Sequence, residues 1–406
     1  MKVSKSKLQD YLLVLSVILS SGAAMIGSIY LPFFVSIIAL HRKQLNYKAI
    51  YKALLFCGFL VVNTMFGSGG KLLINDTIIM LIRIVVITIV LCCMSMKRFF
   101  TIFLNIMAFL CQMSLLFWII SIIAPSALNI IGYYSNGVYG NILHVYGFSP
   151  LGNGFPRNCG IFWEPGVFQG YINLAIALLI FGDFNISNPK KTLVILIITL
   201  FSTMSTMGYL CLGVVLLFAS IFNNPNMSSI RTYLKIIGLI GIFVLIFTEL
   251  QYGFISYKFA GNSSFDSRTE DLRVNLILIK QYPWIGVGLL RDYTSLWEYA
   301  RTLTNSGYWG DLANSNGLGS CFFKAGIPFT IYYLVNIFRT FYYQCRNTFR
   351  FSLVLMIVVV LFFANEPIMM TPFWLVFLLV GKENTDWDDT DGDRLKNYAR
   401  NESGKR

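Results

Sequence analysis

Charged side chains are scarce in this sequence. Of its 406 residues only 13% are Asp, Glu, Lys or Arg, whereas 56% are hydrophobic. A soluble globular chain is usually about one quarter charged. This scarcity, together with a mean hydropathy of +0.65, excludes an ordinary soluble protein and indicates a polytopic integral membrane protein. The fold expected is all-α, with one integral membrane domain over 1–381 and a charged cytoplasmic tail over 382–406 that is disordered.

Histidine and the common catalytic motifs are also missing. The two His, His41 and His144, are far apart and lack the ligand spacing of a zinc site. No Walker loop, GxGxxG or GxSxG sequence is present, so nucleotide-driven and acyl-serine chemistry lack their usual parts. No outward-facing Asp-x-Asp pair is present to hold Mg²⁺ on a sugar nucleotide. The eight Cys form no CxxC pair, which is typical of buried, unreactive thiols. We therefore expect no metal and no cofactor.

Basic residues between the apolar runs set the predicted topology. The uncharged run 11–40 is too long for one span of about 20 residues. A break near Gly22 makes two short helices and keeps both flanking basic segments in the cytoplasm. The same rule predicts twelve spans, both termini in the cytoplasm, and two long outer loops, at about 124–160 and 251–313. The later spans are predicted at about 49–66, 72–94, 99–123, 165–182, 192–206, 208–222, 236–250, 315–338, 351–365 and 367–381.

The late outer loop carries six basic and six acidic residues. The net charge of +13 for the whole chain therefore comes mostly from cytoplasmic residues and does not indicate nucleic-acid binding. Within this loop, 267–270 predicts a capping box. Leu272, Leu276 and Ile279 follow at helical spacing, and the pattern stops before Pro283. We expect a short amphipathic helix that lies on the membrane surface.

The stretch 157–169 places Arg157 and Glu164 at the boundary between the first outer loop and an apolar run. Charge at this depth is costly unless it has a partner or a purpose. Pro165, preceded by Glu164, predicts a helix start with the carboxylate on the positive end of the dipole. Glu164 could also accept a proton from a sugar hydroxyl as it attacks. The pair Glu366-Pro367 repeats this pattern at the last outer turn and is interpreted as another helix start.

Cationic side chains on the outer face are the main candidates for chemistry. Arg157, Arg268 and Arg273 each offer a planar fork of donors that suits phosphate oxygens. Such groups at a headgroup boundary could hold a lipid-linked pyrophosphate and stabilise it as a leaving group without metal. The alternative is a snorkelling anchor or a surface salt bridge, such as Arg268 with Asp271 on its own helix.

Several polar side chains fall inside predicted spans. Asp76 and Arg83 lie on roughly one helical face and could pair, while Lys324 and Asn173 lie in spans ten and six. Ionisable groups at such depth are functional candidates by default. The many Tyr and Trp of the outer segments could stack on sugar rings or form an interfacial aromatic belt.

Four motifs, taken in order, resemble those of the bacterial O-antigen polymerase and ligase superfamily. They are an Arg-x-x-Gly-x-Phe-x-Glu-Pro signature, a Ser/Thr-rich turn, an Arg followed by Pro-x-x-Gly-x-Gly, and an Asn-rich entry to a late span. In this chain they read Arg157-Asn-Cys-Gly-Ile-Phe-Trp-Glu164-Pro165, Ser202-Thr-Met-Ser-Thr-Met-Gly208, Arg268 with Pro283-Trp-Ile-Gly286-Val-Gly288, and Asn314-Ser-Asn316-Gly317. The motifs cover about 150–325, and the topology resembles that of the family over the whole chain.

The resemblance implies a glycosyltransferase that uses an undecaprenyl-pyrophosphate-linked oligosaccharide on the outer face of the bacterial inner membrane, without metal. A polymerase moves the growing chain onto a new lipid-linked repeat unit. By resemblance, Arg157 and Arg268 would bind pyrophosphate, and Glu164 would orient or deprotonate the acceptor or hold Arg157. Asn314 and Asn316 would contact sugar. Arg273 and Lys324 are further substrate-binding candidates.

Two other functions fit the same topology. A ligase would transfer finished polysaccharide to lipid A core, but family ligases usually place a His near the position of Asn314, and that His is absent here. His144 of the earlier loop could substitute for it. A flippase for lipid-linked oligosaccharide would also have twelve spans, but it usually shows internal repeats and midplane charge. Expected partners are the lipid-linked substrate, membrane lipid, a chain-length regulator and a flippase, with no nucleic acid.

Overall fold

The computed structural model describes residues 5–24, 29–40, 46–129, 133–135, 138–141, 144–145, 156–221, 264–304, 314–345 and 348–380. The predicted ninth span, 236–250, and the predicted tail, 382–406, lie outside the described residues. The described chain is mostly helical, in agreement with the predicted fold class.

The helices begin and end close to the positions that the sequence predicts. Their bounds are α1 (Lys5–Leu19), α2 (Tyr30–Leu40), α3 (Tyr47–Phe66), α4 (Ile74–Cys93), α5 (Met96–Ile123), α6 (Pro125–Asn129), α7 (Pro165–Phe181), α8 (Pro189–Ser202), α9 (Thr206–Ile221), α10 (Ser264–Gln281), α11 (Thr294–Thr302), α12 (Gly317–Ala325), α13 (Ile327–Gln344), α14 (Phe349–Asn365) and α15 (Pro372–Leu379).

Within the described ranges, three helices, α3, α4 and α5, are long and apolar enough to cross a membrane. Shorter apolar helices are α2, α7, α9 and α14. The break predicted near Gly22 is present, because α1 ends at Leu19 and α2 begins at Tyr30. These features make the chain a helical membrane protein.

The predicted span 315–338 differs from the structure, which has two helices there, α12 and α13. They are separated by Gly326, whose φ of +85° is a left-handed conformation that favours glycine. The Gly326 N–H donates to the carbonyl of Phe322 and ends α12. Pro328, in the first turn of α13, has no N–H to continue the α12 ladder. The Pro was visible in the sequence, but the hydrophobic run around it favoured a single span.

Helix α7 lies at the centre of the fold. Every residue from 167 to 178 is buried, and the helix packs against α5, α8, α9 and α14. Gly170 lets the ring of Phe362 from α14 approach the α7 backbone, since any side chain at 170 would overlap that ring. Asn173 is buried and donates to the carbonyls of Gln169 and Gly208, each at 3.1 Å. These contacts fix the outer end of α7, where the predicted Arg–Glu stretch lies.

The segment before α7 is held by backbone hydrogen bonds on two sides. The Trp163 N–H donates to Gly22 at 3.1 Å, and the Val145 N–H donates to Gly160 at 2.7 Å. Gly160 has φ +55°, so it supplies the sharp bend in this segment. Val145 belongs to a small antiparallel sheet that the sequence did not predict. Its strands are β1 (Tyr133–Ser135), β2 (Val138–Asn141) and β3 (His144–Val145), in that order.

The predicted surface helix is α10. It ends at Gln281, before Pro283, as predicted. The predicted capping box at 267–270 is wrong, because the helix already begins at Ser264. Glu270 lies inside the helix and accepts a hydrogen bond from Thr304. The buried face of α10 is formed by residues such as Val274 and Leu278, which pack with apolar side chains of α11 and α12. Leu272 and Leu276 are exposed instead.

The turn between α10 and α11 anchors the outer loop to the membrane helices. Gly286 and Gly288 have φ of +80° and +108°. The Val287 and Gly288 N–H groups donate to the carbonyls of Phe323 and Lys324 at the end of α12, at 2.8 and 3.0 Å. The Pro-x-x-Gly-x-Gly motif therefore caps a broken helix.

A buried amide completes the same anchor. Asn63 of α3 donates to the carbonyls of Ile285 (2.6 Å) and Lys324 (3.0 Å), and its side-chain oxygen accepts from the Leu289 N–H (2.7 Å). Arg291 adds hydrogen bonds to the carbonyls of Thr64 and Gly70, at 2.6 and 2.9 Å. The outer loop is thus fixed to α3 and to the turn that follows it.

Candidate active site

Arg157 is positioned by the Ser/Thr-rich turn at the outer end of α8. Its Nε–H donates to the carbonyl of Thr203 at 2.9 Å. The following residue, Asn158, bonds Ser202 twice, through its backbone N–H (3.0 Å) and its side-chain amide (2.8 Å). The first two motifs therefore form one structural unit, in which the turn holds the arginine.

The surroundings of Arg157 leave it charged. Burial lowers the pKa of its guanidinium, and the carboxyl of Glu164 raises it. Arg268 also acts on Arg157 electrostatically, as a like charge that lowers its pKa. The pKa of an arginine is ordinarily so high that the guanidinium stays protonated.

Glu164 is the N-cap residue of α7, and Pro165 occupies the first helical turn, as predicted. The Glu164 backbone carbonyl accepts from the Phe168 N–H at 3.3 Å. Its side chain makes no capping hydrogen bond, so the carboxyl group does not cap the backbone N–H groups of α7. It points instead towards Glu366, and the two carboxyl groups are within hydrogen-bonding reach.

Arg268 reaches this site from α10. Its Nη1 donates to the side-chain oxygen of Asn365 at 2.7 Å, and its Nη2 lies 4.0 Å from Oε1 of Glu366. The alternative pairing within its own helix is not observed, because Glu270 bonds Thr304 and Asp271 bonds Ser315. The side chain remains 40% exposed, so its guanidinium is accessible at the surface.

Glu366 is the functional candidate that sequence reasoning missed. It follows the last residue of α14, and its residue exposure is 0%. Any side chain at Gly166, in the first turn of α7, would overlap the Glu366 carboxyl group. Arg157, Arg268 and Glu164 all interact with it electrostatically. The repeated Glu-Pro sequence was the available signal, but it was interpreted only as a helix start.

The two predicted asparagines build the wall of the site. Asn316 is the N-cap of α12, and its side chain accepts from the Gly319 N–H at 2.7 Å. The amide of Asn314 donates to the side-chain oxygen of Asn275 on α10 at 2.9 Å. Both asparagines are buried. Asn314 therefore joins α10 to the start of α12, and Asn316 caps α12; these are structural roles alongside the sugar contacts expected from the resemblance.

Arg273 does not join the other two arginines. It is exposed on α10 between Leu272 and Val274, away from the buried face. Arg268 and Arg273 are five residues apart, which is about 140° around a helix axis of 3.6 residues per turn. The structure thus brings Arg157 and Arg268 together and leaves Arg273 outside the site.

A cavity of about 290 Å³ is lined by residues that include Asn314, Pro367 and Lys324. The Lys324 ammonium sits over the ring of Tyr293, 3.9 Å from its centroid, in a cation–π contact. Asp76 and Arg83 also line the cavity.

The predicted pairing of Asp76 and Arg83 is not direct. Arg83 instead donates from Nη1 to the carbonyl of Met370 at 3.0 Å. Its Nε is buried and bonds nothing among the described residues. The cavity therefore combines charged groups with apolar walls.

His144 is not placed to act on substrate. It is fully buried, and its ring stacks on Phe117 with centroids 6.3 Å apart. Burial lowers the pKa of His144 to about 4, which keeps the imidazole neutral at physiological pH. Among the described residues, no group of three or more His, Cys, Asp or Glu could hold a metal ion.

A protein-family model described as O-antigen ligase matches residues 192–334. The matched segment includes the Ser/Thr-rich turn, Arg268, both asparagines and Lys324, whereas Arg157, Glu164 and Glu366 lie outside it. The match confirms the resemblance to the O-antigen polymerase and ligase superfamily over this segment. No curated protein and no solved structure matches the chain. The matched family consists of glycosyltransferase-like enzymes.

Proposed function

We propose that this protein polymerises undecaprenyl-pyrophosphate-linked oligosaccharide repeat units into an O-antigen or related surface polysaccharide. One observation carries the proposal: the carboxyl groups of Glu164 and Glu366 lie beside Gly166 at the start of the central helix, and Arg268 reaches Glu366 to 4.0 Å. Arg157 lies in the segment that leads into the same helix and interacts electrostatically with both carboxyl groups. The family match over 192–334 supplies the reaction class.

The chemistry follows from the charges at this site. A hydroxyl oxygen of the acceptor sugar attacks the anomeric carbon of the donor sugar. The bond from that carbon to the pyrophosphate oxygen breaks, and the pyrophosphate leaves with the electron pair. The hydroxyl proton passes to Glu164, which acts as the general base. Arg157 and Arg268 bind the pyrophosphate and stabilise the negative charge that develops on it.

The cavity next to this centre suits the rest of the substrate. Lys324 and Arg83 provide cationic groups, and the Lys324 ammonium covers the ring of Tyr293. Pro367, which lines this cavity, directly follows Glu366 in the chain. A polymerase must hold two lipid-linked substrates at once, and this cavity would receive part of one of them.

The proposal includes the membrane arrangement that the basic residues predict. The domain 1–381 crosses the bacterial inner membrane twelve times, with both termini in the cytoplasm and the arginine site outside. Substrate would arrive through a flippase, and a chain-length regulator would limit the product. The tail over 382–406 would then lie in the cytoplasm.

A ligase that transfers polysaccharide to lipid A core is the second candidate. The family match is described by that activity. Two features favour the polymerase. The position where family ligases usually carry a His has Asn314, whose amide is bonded to Asn275. The remaining candidate, His144, is fully buried.

The decisive experiment compares Arg157→Ala with Arg273→Ala. Both changes remove an outer arginine, but only Arg157 lies in the site. Purified protein in nanodiscs is given lipid-linked repeat units, and products are separated by length. We expect Arg157→Ala to lose about a hundred- to thousand-fold in rate, as when one oxyanion donor is removed. Arg273→Ala should polymerise at the wild-type rate.

The same variants distinguish the rival functions in cells. A polymerase that lacks Arg157 leaves single-repeat surface polysaccharide while the protein stays in the membrane. A ligase defect leaves long chains on undecaprenyl and none on lipid A. Normal long chains in the Arg157→Ala strain would refute the role of Arg157.

A further inference from the structure

The carboxyl group of Glu366 has unusual surroundings for a charged group. It is fully buried, and neither of its oxygens receives a hydrogen bond from a described residue. The nearest cation is Nη2 of Arg268, at 4.0 Å, which is too long for a hydrogen bond. A buried carboxylate without donors is strongly disfavoured relative to its neutral form.

The ionisable groups around Glu366 come from three elements. Glu164 faces it from the start of α7, Arg157 from the loop before α7, and Arg268 from α10. On the α12 side it is the backbone at Gly317 that meets the backbone of Glu366. Tyr209 of α9 acts on Arg157. The neighbours of Glu366 are therefore one carboxyl group and two guanidinium groups, and of these Glu164 is within hydrogen-bonding reach.

Two carboxyl groups in contact cannot both ionise easily. If one of them is protonated, it can donate a hydrogen bond to the other. This removes the repulsion between two negative charges and supplies the donor that the carboxylate lacks. Burial raises the pKa of Glu366 well above its ordinary value, and the contact with Glu164 raises it further, while Arg268 and Arg157 lower it less. Glu164 is partly exposed, so the more buried Glu366 is the better place for the proton.

We propose that Glu366 and Glu164 share one proton, that Glu366 carries it, and that neutral Glu366 is a positioning residue for Glu164 and Arg268. The donated hydrogen bond fixes the orientation of the Glu164 carboxylate. Because Glu366 is neutral, it does not compete with an anionic ligand for Arg268. Glu366 keeps its proton throughout, and the proton of the attacking hydroxyl goes to Glu164. The catalytic consequence rests on the proposed function, but the proton sharing does not.

Infrared spectroscopy of the full-length protein in nanodiscs tests the proton directly. We expect a carboxylic acid C=O stretch at neutral pH that is absent from Glu366→Gln. The band should shift in Glu164→Gln, because its hydrogen-bond partner changes. Absence of the band from wild type at neutral pH, or its persistence in Glu366→Gln, would overturn the proposal.

The pH dependence of stability gives a second readout. A carboxyl group whose pKa is raised by folding stabilises the protein below its ordinary pKa, and this contribution is lost as the pH rises through the raised value. The thermal midpoint of wild type should therefore fall as the pH rises from the ordinary pKa of a glutamate to the raised pKa of Glu366. Glu366→Gln, which imitates the neutral acid, should not show this fall. Parallel pH profiles for the two proteins would contradict a protonated Glu366.

Activity separates the roles of the two carboxyl groups. Glu366→Gln keeps a donor for Glu164 and should resist alkaline inactivation, while Glu164→Gln should lose at least a hundredfold. Equal and severe losses in both variants would refute the positioning role. If the infrared band is present but neither wild type nor any variant polymerises lipid-linked repeat units, the proton sharing is supported and the proposed function is refuted.

Discussion

A single methyl group at position 166 should disable the site while leaving the fold intact. Gly166 lies in the first turn of α7, and an alanine there would overlap Oε1 of Glu366 and approach Oε1 of Glu164 to 3.4 Å. Alanine favours the helix by about 0.5–1 kcal/mol relative to glycine. Overpacking a filled site costs about 1–3 kcal/mol. The net loss of stability should therefore be no more than about 2.5 kcal/mol.

The effect of Gly166→Ala on catalysis should be larger. The displaced Glu366 carboxyl group loses its position beside Glu164 and Arg268, and a hydrogen bond to a charged group contributes about 1.5–3 kcal/mol. At about 1.4 kcal/mol for each factor of ten, the rate of polymerisation should fall by about 10- to 150-fold. The assay is the same nanodisc reaction, with product lengths measured over time.

Gly213→Ala is the matched control for this variant. Gly213 lies inside α9, and an added Cβ there meets no atom within 4 Å. This change should leave the rate unchanged and raise the thermal midpoint slightly, since glycine is unfavourable in a helix. If Gly166→Ala is as active as Gly213→Ala, the position of the Glu366 carboxyl group has no effect on catalysis, and the reasoning above is refuted.

Three further predictions concern the support of the site. Arg268→Lys keeps the charge but loses the fork between Asn365 and Glu366, so its rate should fall by about 10- to 100-fold, whereas Arg273→Lys should match wild type in the same assay. Asn63→Ala removes three hydrogen bonds to part-buried backbone groups and should cost about 2 kcal/mol or more. A thermal midpoint as high as that of the exposed control Asn75→Ala would contradict this. Burial raises the pKa of Asp271, so the contribution of this carboxyl group to stability is present at low pH and lost as the pH rises above about 4. Asp271→Asn should therefore flatten the dependence of the thermal midpoint on pH. A pH profile identical to that of wild type would contradict this.

The parts of the fold that local sequence determines were predicted well. The start of α7 at Pro165, the break after α1 and the end of α10 before Pro283 depend on proline, glycine and hydrophobic spacing within a few residues. The two helices α12 and α13 were merged because the apolar run continues across Gly326. The small sheet β1–β3 was missed because its strands are only two to four residues long.

The candidate site was predicted only in part, for physical reasons. The motifs predicted that Arg157 and Arg268 act together; in the structure Arg268 lies 4.0 Å from Glu366, and Arg157 interacts electrostatically with the same carboxyl group. The contact between Glu164 and Glu366 depends on how α14 packs against α7, about two hundred residues away in sequence, and no local pattern encodes that distance. Arg273 could have been excluded from the sequence alone, because a helix places it on a different face from Arg268.

The amide of Asn63 has a consequence for the order of assembly. It enters the membrane with α3, but the carbonyls that it bonds belong to residues 222 and 261 positions later in the chain. Until they are synthesised, a polar group lies among apolar side chains without its final partners, a state that lipid disfavours. The same carbonyl of Lys324 needs donors because α12 stops at Ala325. The hydrogen bonds of Asn63 in the early helix α3 therefore form only after the late turn and α12 have been synthesised.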